Sequence, residues 1–283
     1  MKEFFGVGGF QRVAEGAWSW QHILFVSLML ITTIVLAVWL GKKFKDKEQS
    51  SKNKVLIWSA ILIDGFELIK IIVNCSIEGF AAMRTMLPLF LCSIQLIAIP
   101  MAAFTKGKMK DAALDFVMTF GILGGVFGTV GATQNYNAYP VLSMPNVVSA
   151  ITHCISAFAS LYIIIAKMQS MKMQNIWITL AILGGFTVAA LVANFALDYN
   201  YMFLMSHDGT PYVLLWNLVG GNPVLYAVGV VVIFVLYIIL YYYVYYWITT
   251  KTNPFARKGA VFAPSAQVQA ELATSEDKPI SEE

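Results

Sequence analysis

Ionisable and polar side chains interrupt four apolar stretches of this chain. They are Glu67 and Lys70 in one stretch, Cys92 and Gln95 in another, His153 in a third and Asn194 in a fourth. A charge at the centre of a bilayer costs about 2.5–3.5 kcal/mol, so such groups turn towards the interior of a helix bundle. We therefore expect an interior site at which these side chains bind a polar substrate or exchange protons.

Helical spacing assigns these residues to faces that carry further polar groups. One face combines Thr85, Pro88, Cys92, Gln95 and Ile99, and a second combines Asn146, Ser149, His153, Ser156 and Ser160. A third holds Thr187, Asn194, Asp198 and Tyr201, and a fourth holds Glu67, Lys70 and Asn74 with Asp64 near its edge. At 1.5 Å of rise per residue, Cys92 and His153 both lie on the order of 10 Å inside the same membrane boundary.

Plainer interpretations of the same residues stay open. Glu67 and Lys70 are three residues apart and could neutralise each other as a purely structural pair. A cysteine in an apolar helix is often a small filler, which we expect for Cys75 and Cys154 and which is also open for Cys92. His153 could instead hold two helices together through a hydrogen bond.

The composition identifies these stretches as membrane spans. Of the 283 residues, 58% are hydrophobic and 12% are charged, and the mean hydropathy is +0.69; soluble domains have about a quarter of charged residues. A bilayer needs about 20 apolar residues per helix. We therefore predict an all-α bundle of seven transmembrane helices at residues 21–41, 55–75, 85–104, 112–132, 146–166, 176–199 and 223–247.

The distribution of lysines predicts the orientation of this bundle. The connection at 42–54 contains six lysines, whereas the connections at the opposite membrane face contain only Arg84 as a basic residue. Since lysine and arginine are retained in the cytoplasm, we predict an extracytoplasmic segment at 1–20, a transmembrane domain at 21–250, and a cytoplasmic basic segment with a disordered tail at 251–283. The protein is then a multi-pass protein of the cell membrane.

Glycines are concentrated in the fourth predicted helix. Gly121, Gly124, Gly125, Gly128 and Gly131 form a groove almost without side chains. Such a pattern is typical of closely packed membrane helices. We expect the same role for Gly184 and Gly185 in the sixth helix.

Four short strings resemble one known family. They are LPLFLC at 87–92, the segment around His153, NYMFL at 200–204 and LVGGNPVLY at 218–226. Their order and spacing resemble the YwaF-like family of bacterial polytopic membrane proteins. That family is distantly similar to a eukaryotic multi-span ether-phospholipid acyltransferase family.

The resemblance implies a cysteine-dependent acyltransferase. Cys92, after the Leu-Pro-Leu motif, would be the acyl-accepting nucleophile, and His153 would accept its proton, so that a thioester passes its acyl chain to a lysolipid. Phe90 stands where the family commonly has a histidine. The substrate, a phospholipid or lysophospholipid, would then contact the polar residues Gln95, Asn146, Asn194, Asp198, Tyr201, Glu67 and Lys70.

A second function fits the same polar faces. A small-solute transporter, or a substrate-binding membrane component, would use Glu67 and Lys70 and could dispense with Cys92. A scaffold without chemistry would need none of these residues. We expect no cofactor, metal ion or nucleic-acid partner, because the three cysteines and three histidines are scattered and no nucleotide-binding loop is present.

Overall fold

The computed structural model describes residues 2–250. The predicted basic segment and tail at 251–283 lie outside the described residues. The described residues up to Tyr242 form one compact unit. A second unit begins at Tyr243, and its described residues, Tyr243–Thr250, are the last turns of the final helix.

Helices account for all the regular secondary structure of residues 2–250, and no strand occurs there. The α-helices are α1 (Lys2–Phe5), α2 (Trp20–Phe44), α3 (Gln49–Glu78), α4 (Gln95–Phe104), α5 (Gly107–Val130), α6 (Thr133–Ala138), α7 (Met144–Ile165), α8 (Ile176–Leu197), α9 (Val213–Leu218) and α10 (Pro223–Thr250). Short 3₁₀ helices lie at Phe80–Thr85, Met173–Asn175 and Tyr201–Phe203. The all-α prediction is confirmed for this part of the chain.

Five helical stretches are long and apolar enough to cross a membrane. They are Trp20–Phe44, Gly107–Ala138, Met144–Ile165, Met173–Leu197 and Pro223–Thr249. Each overlaps one of the predicted spans, so the chain is a multi-pass membrane protein. Helix α3 has 30 residues, about 45 Å at the usual rise, but Asp64, Glu67 and Lys70 interrupt its apolar sequence. The count of seven spans stays a prediction.

The predicted continuous helix over 85–104 is wrong in its first half. Residues 86–94 form turns, and α4 begins only at Gln95 and has 10 residues, about 15 Å or half the thickness of a bilayer core. Pro88 lacks a backbone N–H and biases the residue before it away from the helical conformation. No single helical face therefore combines Thr85, Pro88, Cys92, Gln95 and Ile99.

Helices α5 and α7 form the centre of the molecule and pack at very short range. A Cβ atom added at Gly121 would lie 2.6 Å from the Ser156 carbonyl oxygen, and one at Gly125 would lie 2.4 Å from the Ala157 Cβ. The predicted close packing of this glycine groove is thus confirmed. The same prediction is wrong for Gly184 and Gly185 of α8, which have no heavy atom within 4 Å of the corresponding position.

Candidate functional site

Cys92 lies in a tight turn directly before α4. The amides of Ser93 and Ile94 both donate to the Phe90 carbonyl, at 2.8 and 3.1 Å, and the Gln95 amide donates to the Cys92 carbonyl at 3.3 Å. The turn places Cys92 three residues before Gln95, the first residue of α4.

Tyr201 holds the segment that leads to this turn. Its hydroxyl donates to the Arg84 carbonyl at 2.6 Å and accepts from the Leu87 amide at 3.2 Å. These two bonds substitute for hydrogen bonds that a continuous helix would have formed. Non-helical backbone at membrane depth is tolerated where protein buries it and satisfies its polar groups.

Phe90 anchors the same segment through aromatic contacts. Its ring centroid lies 5.2 Å from that of Tyr201, 5.5 Å from that of Phe203 and 6.2 Å from that of Tyr199. Phe90 therefore packs into an aromatic cluster two residues before the thiol. This role of Phe90 could not be predicted from the sequence, because the contacts join residues more than 100 positions apart.

Asn194 in turn fixes Tyr201. The Asn194 Oδ1 accepts from the Tyr201 amide at 2.6 Å, and its Nδ2 donates to the Tyr201 carbonyl at 3.1 Å. Both polar atoms of the carboxamide are thus used by backbone groups. Asn194 and Tyr201 position the Cys92 segment from the far end of α8 and do not line the pocket beside the thiol.

His153 faces Cys92 from α7. The thiol and the imidazole interact with each other and line the same cavity, and the His153 Nδ1 lies 2.7 Å from the Ser149 carbonyl oxygen. Because a carbonyl oxygen only accepts hydrogen bonds, the contact fixes a proton on Nδ1. The lone pair of Nε2 is then available to take the thiol proton.

Two glycines of α5 form the floor under these two side chains. A Cβ atom at Gly128 would lie 1.9 Å from Cδ2 of His153, and one at Gly124 would lie 3.3 Å from the Cys92 Cβ. The glycine groove therefore does more than pack helices, because the imidazole occupies the space that a side chain at position 128 would take. The sequence pattern indicated close packing without indicating what fills it.

A cavity of about 40 Å³ adjoins the thiol and the imidazole, enough for water. Its lining comprises Ile63, Glu67, Lys70, Cys92, Ser93, Leu96, Ser149, Thr152, His153 and Ser156. The predicted meeting of Glu67, Lys70, Cys92 and His153 around one site is thus present in the structure.

An ion pair borders this cavity on α3. The Lys70 Nζ lies 2.7 Å from Oε1 of Glu67, and its charge acts electrostatically on both Cys92 and His153. A cation in this place stabilises negative charge on a thiolate or on an oxygen bound beside it. Asp64, one turn away on the same helix, is exposed.

Gln95 is the fully buried polar residue next to the turn. Its side chain is 0% exposed, and within residues 2–250 neither Nε2 nor Oε1 has a hydrogen-bond partner. An unpaired buried amide costs about 1–3 kcal/mol. Gln95 follows Cys92 by three residues but is not among the residues that line the cavity beside the thiol.

The remaining predicted site residues lie elsewhere. The Asn146 Nδ2 donates to the carbonyls of Tyr139 and Pro140, at 3.1 and 3.0 Å, and so holds the connection before α7. Asp198 ends α8 in the left-handed conformation, with φ at 50°, and is exposed. Neither residue belongs to the lining of the cavity beside Cys92.

Comparison with known proteins gives a single family. Neither a curated protein nor a solved structure matches the chain. The match to the TMEM164 family covers residues 17–248, which includes α2 to α9, the Cys92 turn, His153 and most of α10. The chain therefore belongs to the TMEM164 family, a family of membrane proteins.

Proposed function

We propose that this protein is an intramembrane phospholipid acyltransferase that works through a thioester on Cys92. The observation that carries the proposal is that the Cys92 thiol and the His153 imidazole meet at one cavity, with Nδ1 of the imidazole held by the Ser149 carbonyl. A thiol, a base and a group that orients the base are the parts of an activated nucleophile. The resemblance of LPLFLC and the His153 segment to the YwaF-like family supports the same chemistry.

In the first step, Nε2 of His153 takes the thiol proton and the sulfur attacks the carbonyl carbon of a phospholipid ester. The ester C–O bond breaks as the thioester C–S bond forms. The departing lysophospholipid oxygen takes the proton back from His153. The Lys70 ammonium, which lines the cavity, is the proposed partner of the negatively charged oxygen that forms on the way.

In the second step, a lysophospholipid hydroxyl attacks the thioester. His153 removes the hydroxyl proton, the new ester C–O bond forms and the C–S bond breaks. The leaving sulfur recovers the proton, so Cys92 and His153 return to their starting forms. Neither step of this acyl transfer consumes an oxidant, a reductant or a cofactor.

We further propose that the protein spans the cell membrane seven times. In this topology α3 and the segment 80–104 are the two crossings added to the five apolar helices. The lysine-rich connection at 42–54 lies in the cytoplasm, and the N-terminus lies outside. The site then faces lipid of the outer half of the bilayer, which supplies both acyl donor and acceptor.

A mass measurement tests the thioester directly. The full chain is purified, incubated with phosphatidylcholine and analysed as intact protein and as peptides. We expect one added acyl chain on Cys92, none in Cys92→Ala, and at least a tenfold slower appearance in His153→Gln, since general-base catalysis contributes about 10²–10⁴-fold. Cys154→Ala is the matched control and keeps the adduct.

Absence of an adduct, together with full acyl exchange by Cys92→Ala, would refute this function.

The transporter remains the second candidate because Glu67 and Lys70 also line the cavity. For that function the double variant Glu67→Gln/Lys70→Met removes solute uptake into proteoliposomes while Cys92→Ala preserves it. The two sets of variants separate the candidates.

A further inference from the structure

An apolar groove of about 340 Å³ lies between α2, α3 and α7. Both the groove and the cavity beside Cys92 are lined by residues of α3 and α7, but they have no lining residue in common. The third wall of the groove is α2, whereas the cavity is bordered by α4. The groove is therefore separate from the proposed site of acyl transfer.

The walls of this groove offer little to a polar ligand. The Thr33 hydroxyl donates to the Met29 carbonyl at 2.8 Å, and the Ser59 hydroxyl donates to the Val55 carbonyl at 2.9 Å. These hydroxyl protons are thus turned back onto their own helices. In a membrane-spanning region, the occupant that fits such a surface is a hydrocarbon chain.

The length of the groove is close to the thickness of the hydrocarbon layer of one membrane leaflet. Its wall on α2 runs from Met29 to Leu40, about 16 Å at 1.5 Å per residue. The hydrocarbon core of a bilayer is about 30 Å thick, so one acyl chain of a lipid in one leaflet spans a comparable distance.

Basic residues lie beyond one end of the groove. Helical spacing places Lys43, which is exposed, one turn beyond Leu40 on α2. Lys52 lies one turn before Val55 on α3, and its side chain is 6% exposed. Within residues 2–250 neither lysine forms a salt bridge. The connection at 42–54 contains six lysines and two acidic residues, so this end attracts an anionic group.

One of the other contacts at this end lies within α2, and two hold α2 and α3 against α7. The Lys43 ammonium lies 5.2 Å from the Trp39 ring centroid, and the Tyr162 hydroxyl of α7 donates to the Lys52 carbonyl at 3.1 Å. A Cβ atom at Gly41 would lie 2.6 Å from the Ile165 side chain. The lysines are therefore carried on closely packed helices.

We propose that the α2–α3–α7 groove binds one acyl chain of an anionic glycerophospholipid whose phosphate lies against Lys43 and Lys52. The apolar wall of the groove suits an acyl chain, and the length of the groove suits a lipid of a single leaflet. The positively charged end of the groove favours an anionic headgroup. The bound lipid covers the gap between α2 and the α3–α7 pair.

Native mass spectrometry of the full chain tests this site. The protein is held in neutral detergent and titrated with dioleoylphosphatidylglycerol or dioleoylphosphatidylcholine. We expect tighter binding of the anionic lipid, and we expect Lys43→Gln/Lys52→Gln to reduce that preference by about ten- to thirtyfold, because each lysine near anionic lipid contributes roughly a fivefold effect. Lys106→Gln/Lys108→Gln removes the same charge from another connection and leaves the preference unchanged.

The apolar wall is tested by Leu62→Trp, which fills the groove and lowers the occupancy of both lipids at least fivefold. Leu68→Trp is the control, since Leu68 is a similarly exposed leucine of α3 outside the groove. Equal binding of the two lipids by the unmodified protein, or unchanged binding by Leu62→Trp, would overturn the proposal. Cys92→Ala retains the groove lipid, so failure of the thioester experiment does not affect this test.

Discussion

The helices around Cys92 and helix α8 are packed very differently. On α5, Cβ atoms added at Gly121, Gly125 and Gly128 would lie 2.6, 2.4 and 1.9 Å from atoms of α7. On α8, Gly184 and Gly185 have no such neighbour within 4 Å. One region thus has no free volume for a methyl group, and the other has space at both positions.

The difference agrees with the roles that we propose for the two regions. A nucleophile and its base must be held close to their productive geometry, and a displacement of about 1 Å can cost 10²-fold in rate. Close packing on α5 and α7 provides this rigidity for His153. Helix α8 contributes mainly through its end, where Asn194 and Tyr201 fix the segment before Cys92. The body of α8 carries no such constraint.

Gly128→Ala should produce the largest effect, because the added methyl group takes the place of the imidazole. We expect about a 10²-fold loss of thioester formation and a cost of about 1–3 kcal/mol in the free energy of unfolding. Intact-protein mass and denaturation in detergent measure the two quantities.

Gly185→Ala is the control in the loosely packed region. It should leave the adduct intact and change stability by no more than about 1 kcal/mol. Equal effects of the two substitutions would remove the distinction between the regions.

Hydrophobicity was sufficient to predict the five apolar spans, because each is a long run of lipid-soluble residues. The faces of Glu67 with Lys70 and of Ser149 with His153 were also predictable, since α3 and α7 are regular helices on which spacing fixes direction. The pocket brings these faces together.

The break before α4 could not be derived from spacing. The segment 86–94 is apolar enough to be read as helix, although Pro88 was a local signal against it. What stabilises the turn is the Tyr201 hydroxyl, 114 residues after Leu87, and the aromatic contacts of Phe90. Asn194 and Tyr201 were for the same reason assigned to substrate binding, because a sequence shows that a residue is polar without showing which backbone group it satisfies.

Tyr201→Phe should have the second largest effect. It removes two hydrogen bonds, to Arg84 and from Leu87, at about 1 kcal/mol each, while the ring keeps its contact with Phe90. We expect about a tenfold slower thioester formation with the fold preserved. Tyr199→Phe serves as the control, because the Tyr199 ring lies in the same aromatic cluster. A Tyr201→Phe protein with unchanged acylation kinetics would show that the Cys92 segment is held by packing alone.

Tyr237→Phe should have the smallest effect and tests how far α10 influences the site. The Tyr237 hydroxyl donates to the Thr119 carbonyl of α5 at 2.5 Å, and α10 also contacts α8 through the hydroxyls of Thr179 and Tyr242, at 2.8 Å. Loss of one neutral hydrogen bond costs about 0.5–1.5 kcal/mol. Because Thr119 lies more than two turns from Gly128 on α5, we expect a small loss of stability and an unchanged rate of acylation.

The double variant Tyr237→Phe/Thr179→Val sharpens the same test. Distant, independent contacts add in their effects on stability, so the two losses should sum in detergent denaturation while the adduct on Cys92 still forms at the original rate. A slower adduct in either variant would mean that α10 helps to position His153 through α5. The position of the imidazole would then depend on α10 as well as on the glycines of α5 beneath the ring.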